Sequence, residues 1–164
     1  MIPVISVVGK SNSGKTTYLE KLIRELKHRG YKLAIIKHDV HGFEIDHPGK
    51  DTWRHAQAGA DVVCISSGQK MAMIKKVEQE LPLDEVIRYI DGVDIIITEG
   101  YKRETKRKIE VFRRETGDIP ICSKEELLAV VSDVILHEDV PHFDLDDPGP
   151  MVDFLEAQVL KKTL

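Results

Sequence analysis

One stretch constrains this chain more than any other: Gly9-Lys-Ser-Asn-Ser-Gly14-Lys15-Thr16, which fits the pattern G-x-x-x-x-G-K-[ST]. Its flanks fit too. Residues 2–8 form a continuous apolar, β-branched run, as expected for a strand buried on both faces of a parallel sheet. After Lys15 the apolar period changes. Tyr18, Leu19, Leu22, Ile23 and Leu26 recur at helical spacing, and charged residues fill the other face. Lys27, His28 and Arg29 suit the negative end of a helix dipole, and Gly30 is a natural stop. A strand, a glycine-rich turn and a helix therefore place backbone N–H groups at one concave point. Gly9 and Gly14 permit close backbone approach, and N–H groups across Asn12, Ser13 and Gly14 can hold phosphate oxygens at the helix N-terminus. Lys15 reaches the β- and γ-phosphates, and the Thr16 hydroxyl suits Mg²⁺.

The rest of the chain alternates strands and helices. Strands are expected at 32–37, 61–66, 93–98, 108–113, 119–121 and 127–132. Helices are expected at 52–58, 83–90 and after Asp147-Pro148, where Met151, Val152, Leu155, Val159 and Leu160 share a face. Residues 71–77 admit helix or strand, with strand favoured; 108–113 alternates as a half-exposed strand. The pattern implies an α/β, P-loop NTPase-like three-layer fold, a mostly parallel β-sheet flanked by helices. With 164 residues and no linker, residues 1–164 read as a single nucleotide-binding domain.

Composition narrows the partners. The net charge of −4 argues against nucleic acid as the partner. No apolar stretch approaches a membrane span, and the N-terminus lacks the charged region of a signal peptide. Cytoplasm is the expected location. Cys64 and Cys122 form no CxxC pair, and Cys64 reads as a small buried hydrophobe.

Further polar groups gather at strand ends. Glu99 closes the apolar strand Asp94-Ile-Ile-Ile-Thr-Glu99, at the sheet edge where ligands bind, and can hold Mg²⁺ or position water. Asp94, at the far end, is a poorer candidate. Asp39 follows the second strand and opens a polar loop to Asp51. This loop reads as one that senses the nucleotide; a metal site at His38, His41 and His47, or a plain solvated loop, are alternatives. The basic run Lys102, Arg103, Lys106, Arg107, Lys108 is a solvated face or a patch for an anionic partner.

Together the P-loop, the segment Lys37-His-Asp-Val-His-Gly-Phe through Gly49-Lys-Asp51-Thr-Trp-Arg54, Ala58-Gly-Ala60 and Thr98-Glu-Gly-Tyr-Lys102 resemble the molybdopterin-guanine dinucleotide biosynthesis adaptor family, MobB. The resemblance spans residues 2 to about 135. It implies a dimeric, GTP-binding, weakly hydrolysing protein that associates with the guanylyltransferase joining GMP to molybdopterin. It also implies phosphate and Mg²⁺ roles for Gly14, Lys15, Thr16 and Thr17, with Asp39 and Glu99 facing the metal and γ-phosphate. Contact between the basic stretch and the pterin phosphate or the transferase is a further expectation.

No Asn-Lys-x-Asp motif reads guanine. Asp133, after a late strand, can accept from guanine N1 and N2; Ser123-Lys124 is a weaker candidate. Lys10 lies five residues before Lys15, like the dimer-crossing lysine of deviant Walker ATPases, but Ser11-Asn12 replaces the usual Gly-Gly and a solvent-facing Lys10 is preferred. No glutamine is evident to position water, and Arg103, Arg107, Arg113 and Arg114 are available for the lid of a small-molecule kinase, the first rival. A nickel-inserting GTPase is the second.

Overall fold

The structure is a computed structural model that describes residues 1–117 and 119–160. The backbone groups into two compact units, residues 1–38 with 90–164, and residues 39–89.

The first unit is built on a six-stranded sheet in the order β2-β5-β1-β6-β7-β8. Its strands are β1 (Val4–Val8), β2 (Leu33–Lys37), β5 (Ile95–Glu99), β6 (Lys108–Phe112), β7 (Leu127–Ser132) and the short β8 (His142–Phe143). All five pairings are parallel. The expected mostly parallel α/β arrangement is therefore present. β1 lies between β5 and β6, so the chain changes direction across the sheet at β1, the position where such sheets bind ligands.

One face is covered by helices α1 (Lys15–His28) and α4 (Gly149–Gln158). Tyr18, Leu19, Leu22 and Leu26 of α1 pack with Met151, Val152 and Leu155 of α4 over Ile5, Val7, Ile97 and Val111. Each such side chain removed from water stabilises the fold by about 2 kcal/mol. Gly30 and Tyr31 close α1 through N–H bonds to Lys27 and Leu26 carbonyls, a Schellman end. Arg29 then ties the helices together, donating to Glu25 (2.8 Å), Asp153 (2.5 Å) and Glu156 (3.0 Å).

The other face is more polar. Thr98 donates to Ser6 at 2.9 Å, both fully buried. Further along, Val8, Cys122, Leu127 and Val130 form a small apolar cluster with Leu136 and Val140. Burial, then the Glu110 carboxylate, pushes the Cys122 thiol up to about 12.

β6 differs from expectation. Its alternating sequence suggested a half-exposed strand, yet all five residues are buried. Lys108 pairs with Glu126, and Glu110 accepts the N–H groups of Ile121 (2.7 Å) and Cys122 (3.1 Å). Buried charge is tolerated there because each charged group has a specific partner. Residues 119–121 are consequently not a strand: two backbone N–H groups at this turn bond a carboxylate rather than a neighbouring strand. Helix α4 begins at Gly149, later than the proline at 148 suggested, but the Asp147 carboxylate still accepts the Gly149 N–H at 2.9 Å.

The second unit contains α2 (Asp51–Gln57), the antiparallel hairpin of β3 (Val62–Ser66) and β4 (Met71–Lys75), and α3 (Leu83–Ile87). The favoured strand at 71–75 is present, but this pair forms its own two-stranded sheet. Residues 39–50 have no regular element, as their polar composition suggested. Cys64 is exposed, contrary to the buried hydrophobe expected from its apolar neighbours, because this hairpin leaves Val62, Ile65, Met71 and Met73 exposed as well.

Candidate functional site

The glycine-rich turn leaves the C-terminal end of β1 and runs directly into α1. A Cβ at Gly9 would overlap the Val111 carbonyl oxygen of β6 and lie 2.7 Å from Ser13 Oγ, so only glycine fits. Asn12 (φ 64°) and Gly14 (φ 86°) both take left-handed conformations. This alternation folds consecutive N–H groups toward one side, a nest for an anion. The first helical bond, Tyr18 N–H to the Gly14 carbonyl, leaves the N–H groups of Lys15, Thr16 and Thr17 outside the helix ladder, while the Ser13 N–H donates to the Lys10 carbonyl at 3.3 Å.

Ser13 provides an independent indication of the ligand. Its hydroxyl is fully buried and has no hydrogen-bond partner among the described residues. A buried hydroxyl without a partner is costly, and a phosphate oxygen in the loop would satisfy it.

Lys15 curls over the loop and donates to the Lys10 carbonyl at 2.5 Å. Burial, reinforced by the nearby Lys102 and opposed by Glu99, holds its ammonium below the ordinary lysine range. The Thr16 hydroxyl donates to Glu99 Oε1 at 2.9 Å. The parallel register explains that meeting, since Glu99 is aligned with Val7 of β1 and Lys37 of β2. Two hard oxygen donors, one from the helix and one from a strand end, suit Mg²⁺ beside a triphosphate. The donor set, the orphaned Ser13 and the glycine cradle all fit a nucleoside triphosphate with its metal.

Backbone strain marks the segment after Glu99. Tyr101 has φ 53°, uncommon for a non-glycine residue. Its ring stacks on His38 with centroids 4.6 Å apart, and the His38 N–H donates to the Glu99 carbonyl at 3.0 Å. The ends of β2 and β5 are thus locked together around Glu99, which limits how far its carboxylate can move.

The other expected site residues fall as follows. Thr17 is exposed on the first turn of α1. Asp39 follows His38 and begins the second unit, where its carboxylate accepts the His41 N–H at 2.9 Å. Among the described residues, no three His, Cys, Asp or Glu side chains converge as a metal centre. Asp133 follows β7, at the same edge of the parallel sheet as the glycine-rich turn, and accepts the Arg114 N–H at 3.0 Å. Ser123 and Lys124 precede β7 and so lie at the opposite edge; Ser123 caps the turn there and Lys124 pairs with Asp139 at 2.7 Å. They are removed from the candidates for base recognition.

Asp94 is structural, accepting the Lys32 N–H at 2.7 Å. The basic run is divided: Lys102, Arg103 and Arg107 are exposed, whereas Lys108 is buried against Glu126. Lys10 is partly buried and runs along Gly117, with its Nζ 2.6 Å from where a Gly117 Cβ would sit. Arg113, weighed in the sequence only as a lid residue, lies against Gly14 of the loop.

Known proteins resemble this chain in sequence and fold. The sequence profile of the family described as molybdopterin guanine dinucleotide synthesis protein B matches residues 4–133. A molybdopterin-guanine dinucleotide biosynthesis adapter protein of Escherichia coli (strain K12) is 37% identical, over 99% of this chain and 96% of that protein. Its namesake in Haemophilus influenzae is 35% identical over 94% of this chain and 88% of its own. The crystal structure of Bacillus subtilis MobB superposes with a TM-score of 0.74 at 28% identity, covering 98% of this chain and 99% of the other.

Proposed function

The chain belongs to the molybdopterin guanine dinucleotide synthesis protein B family, and from that premise we propose that it is a GTP-binding adapter with weak GTPase activity that assists a guanylyltransferase in converting molybdopterin to its guanine dinucleotide form. The observation that carries the nucleotide part is the Thr16–Glu99 hydrogen bond at a loop whose buried Ser13 hydroxyl has no partner. Gly9, Asn12, Ser13 and Gly14 would supply the phosphate cradle, with Thr17 at the following turn. Lys15 would neutralise the β,γ-phosphates. Thr16 and Glu99 would hold Mg²⁺, with Asp39 as a third carboxylate. The metal would supply charge neutralisation at the phosphate oxygens. Asp133 has one oxygen held by the Arg114 N–H, which orients the carboxylate and leaves the other to accept from guanine.

Slow hydrolysis fits a sequence in which no glutamine is evident to orient water, since such groups carry large rate factors. A homodimer is part of the proposal: Val62, Ile65, Met71 and Met73 expose apolar surface on the hairpin that a second copy would cover. We place the protein in the cytoplasm; no helix among the described residues is long and apolar enough to cross a membrane.

Glu99→Gln should separate the metal from the nucleotide. With Mg²⁺ present, GTP affinity should fall about tenfold, while affinity in EDTA should change little. Calorimetric titration under both conditions measures this; equal losses in both would remove Glu99 from the metal site. The adapter role is tested by capture of purified guanylyltransferase on the immobilised protein, with and without GTP. GTP-dependent retention is expected. Absence of retention under both conditions, or phosphoryl transfer from GTP to a small acceptor, would overturn that role.

A further inference from the structure

Arg113 is the last residue before the turn that follows β6, and its guanidinium packs against the backbone of Gly14. A Cβ placed on Gly14 would meet Arg113 Nε at 3.2 Å and the guanidinium carbon at 3.9 Å. Among the described residues this guanidinium has no hydrogen bond or ion pair of its own. It contributes only weakly to Asp146, whose carboxyl is held below its usual range chiefly by the hydrogen bond from Lys21. An arginine held at a nest of N–H groups, with its five donors unused, is charge set aside for an anion.

The sheet order shows which part of the anion. β5 and β6 flank β1 on opposite sides. Thr16 and Glu99 meet on the β5 side, where the phosphate-loop reading would put the metal and the terminal phosphates. On that reading the remainder of a nucleotide would run the other way, toward β6 and β7, where Arg113 and Asp133 lie. The turn carrying Arg113 is held in place. The Arg113 carbonyl accepts from the Thr116 N–H (3.0 Å) and hydroxyl (2.8 Å), and Asp133 accepts the Arg114 N–H. Lys10 runs along Gly117 at the other end of the same turn.

We propose that Arg113 is a nucleotide-contacting residue, supplied by the same chain, that grips the phosphate chain on its nucleoside side and sets affinity without acting on the γ-phosphate. Asp133, whose other oxygen is the one assigned to guanine, would also position this turn through the Arg114 backbone. The inference rests on the phosphate-loop reading above. It separates Arg113 from an arginine that stabilises the departing phosphate, because such a group would act on the Glu99 side.

The test compares wild type with Arg113→Ala and Arg113→Lys. GTP and GDP dissociation constants are measured by calorimetry, and hydrolysis of prebound GTP by single turnover. Arg113→Ala should weaken GTP and GDP equally, by roughly tenfold or more. Arg113→Lys should recover part of this, since a point charge lacks the planar fork. Single-turnover hydrolysis of prebound GTP should lose far less than the affinity does in both. Unaltered affinities in Arg113→Ala would overturn the proposal. So would a slowed hydrolysis with GDP affinity intact, which would place the guanidinium on the γ-phosphate. If wild type itself binds neither nucleotide, the phosphate-loop reading fails; if wild type binds and Arg113→Ala matches it, only the Arg113 assignment fails. Should Arg113→Ala lose its circular dichroism spectrum, Arg113→Gln carries the same comparison.

Discussion

Replacing Lys15 by alanine is expected to lower GTP affinity on the order of 100-fold with the fold left intact. Among the described residues the side chain makes a single hydrogen bond, to the Lys10 carbonyl, and it is only partly buried. Its loss costs the ligand-free protein little, and thermal unfolding should shift by no more than about 2 °C. In the nucleotide complex the same ammonium would face two phosphate groups in a site partly shielded from water, where charge-assisted bonds are strong. Calorimetric titration of GTP into the variant measures the loss.

A pH series gives the sign of the electrostatics. Burial, then Lys102, favours the neutral amine in the ligand-free protein, so its folded pKa lies below the ordinary lysine range. GTP affinity should therefore fall as pH rises through that lowered pKa. Ligand-free stability should rise over the same interval, because the folded chain holds this proton less readily than the unfolded chain. Lys15→Ala should abolish both trends.

Glu110→Ala is expected to destabilise the fold by about 3 kcal/mol, among the larger effects available from one substitution. The carboxylate is 1% exposed and accepts two backbone N–H groups, from Ile121 and Cys122. Alanine would leave the Cys122 N–H buried without a partner. It would also remove one of two buried charged residues on the same face of β6, the other being Lys108 at 2% exposure. Unfolding in urea should show the loss as a lower midpoint at unchanged slope, and the melting temperature should drop by roughly 6–12 °C. Glu110→Gln, which keeps one acceptor, should recover part of it. A change below about 1 kcal/mol for alanine would mean that the bonds at Ile121 and Cys122 do not hold the segment after β6.

The sequence already showed the site where local chemistry decides it. Glycines, a lysine and a threonine at fixed spacing can be read without the rest of the fold. The turn at Gly9 to Thr16 appears as expected, as does the end of α1 at Gly30. The place of Glu99 opposite Thr16 was less direct. It followed from a buried strand ending in a carboxylate, and only the β1–β5 register brings the two oxygens to 2.9 Å. What escaped were features set by distant partners. Lys108 and Glu110 looked like the wet side of a strand, because nothing nearby in sequence reveals Glu126 or the N–H groups of 121 and 122. Cys64 looked buried because its apolar neighbours resemble a core strand, yet they belong to a separate two-stranded sheet. Arg113 was one arginine among several until the parallel sheet placed it on Gly14.

GTP with Mg²⁺ is expected to bind this chain at the glycine-rich loop. Titration of GTP and ATP into the purified protein, each with Mg²⁺ and with EDTA, tests it most directly. One saturable site per chain is expected, tighter for GTP than for ATP by at least about tenfold, and weakened when the metal is removed. Absence of binding, or equal affinity for the two nucleotides with no response to Mg²⁺, would contradict it.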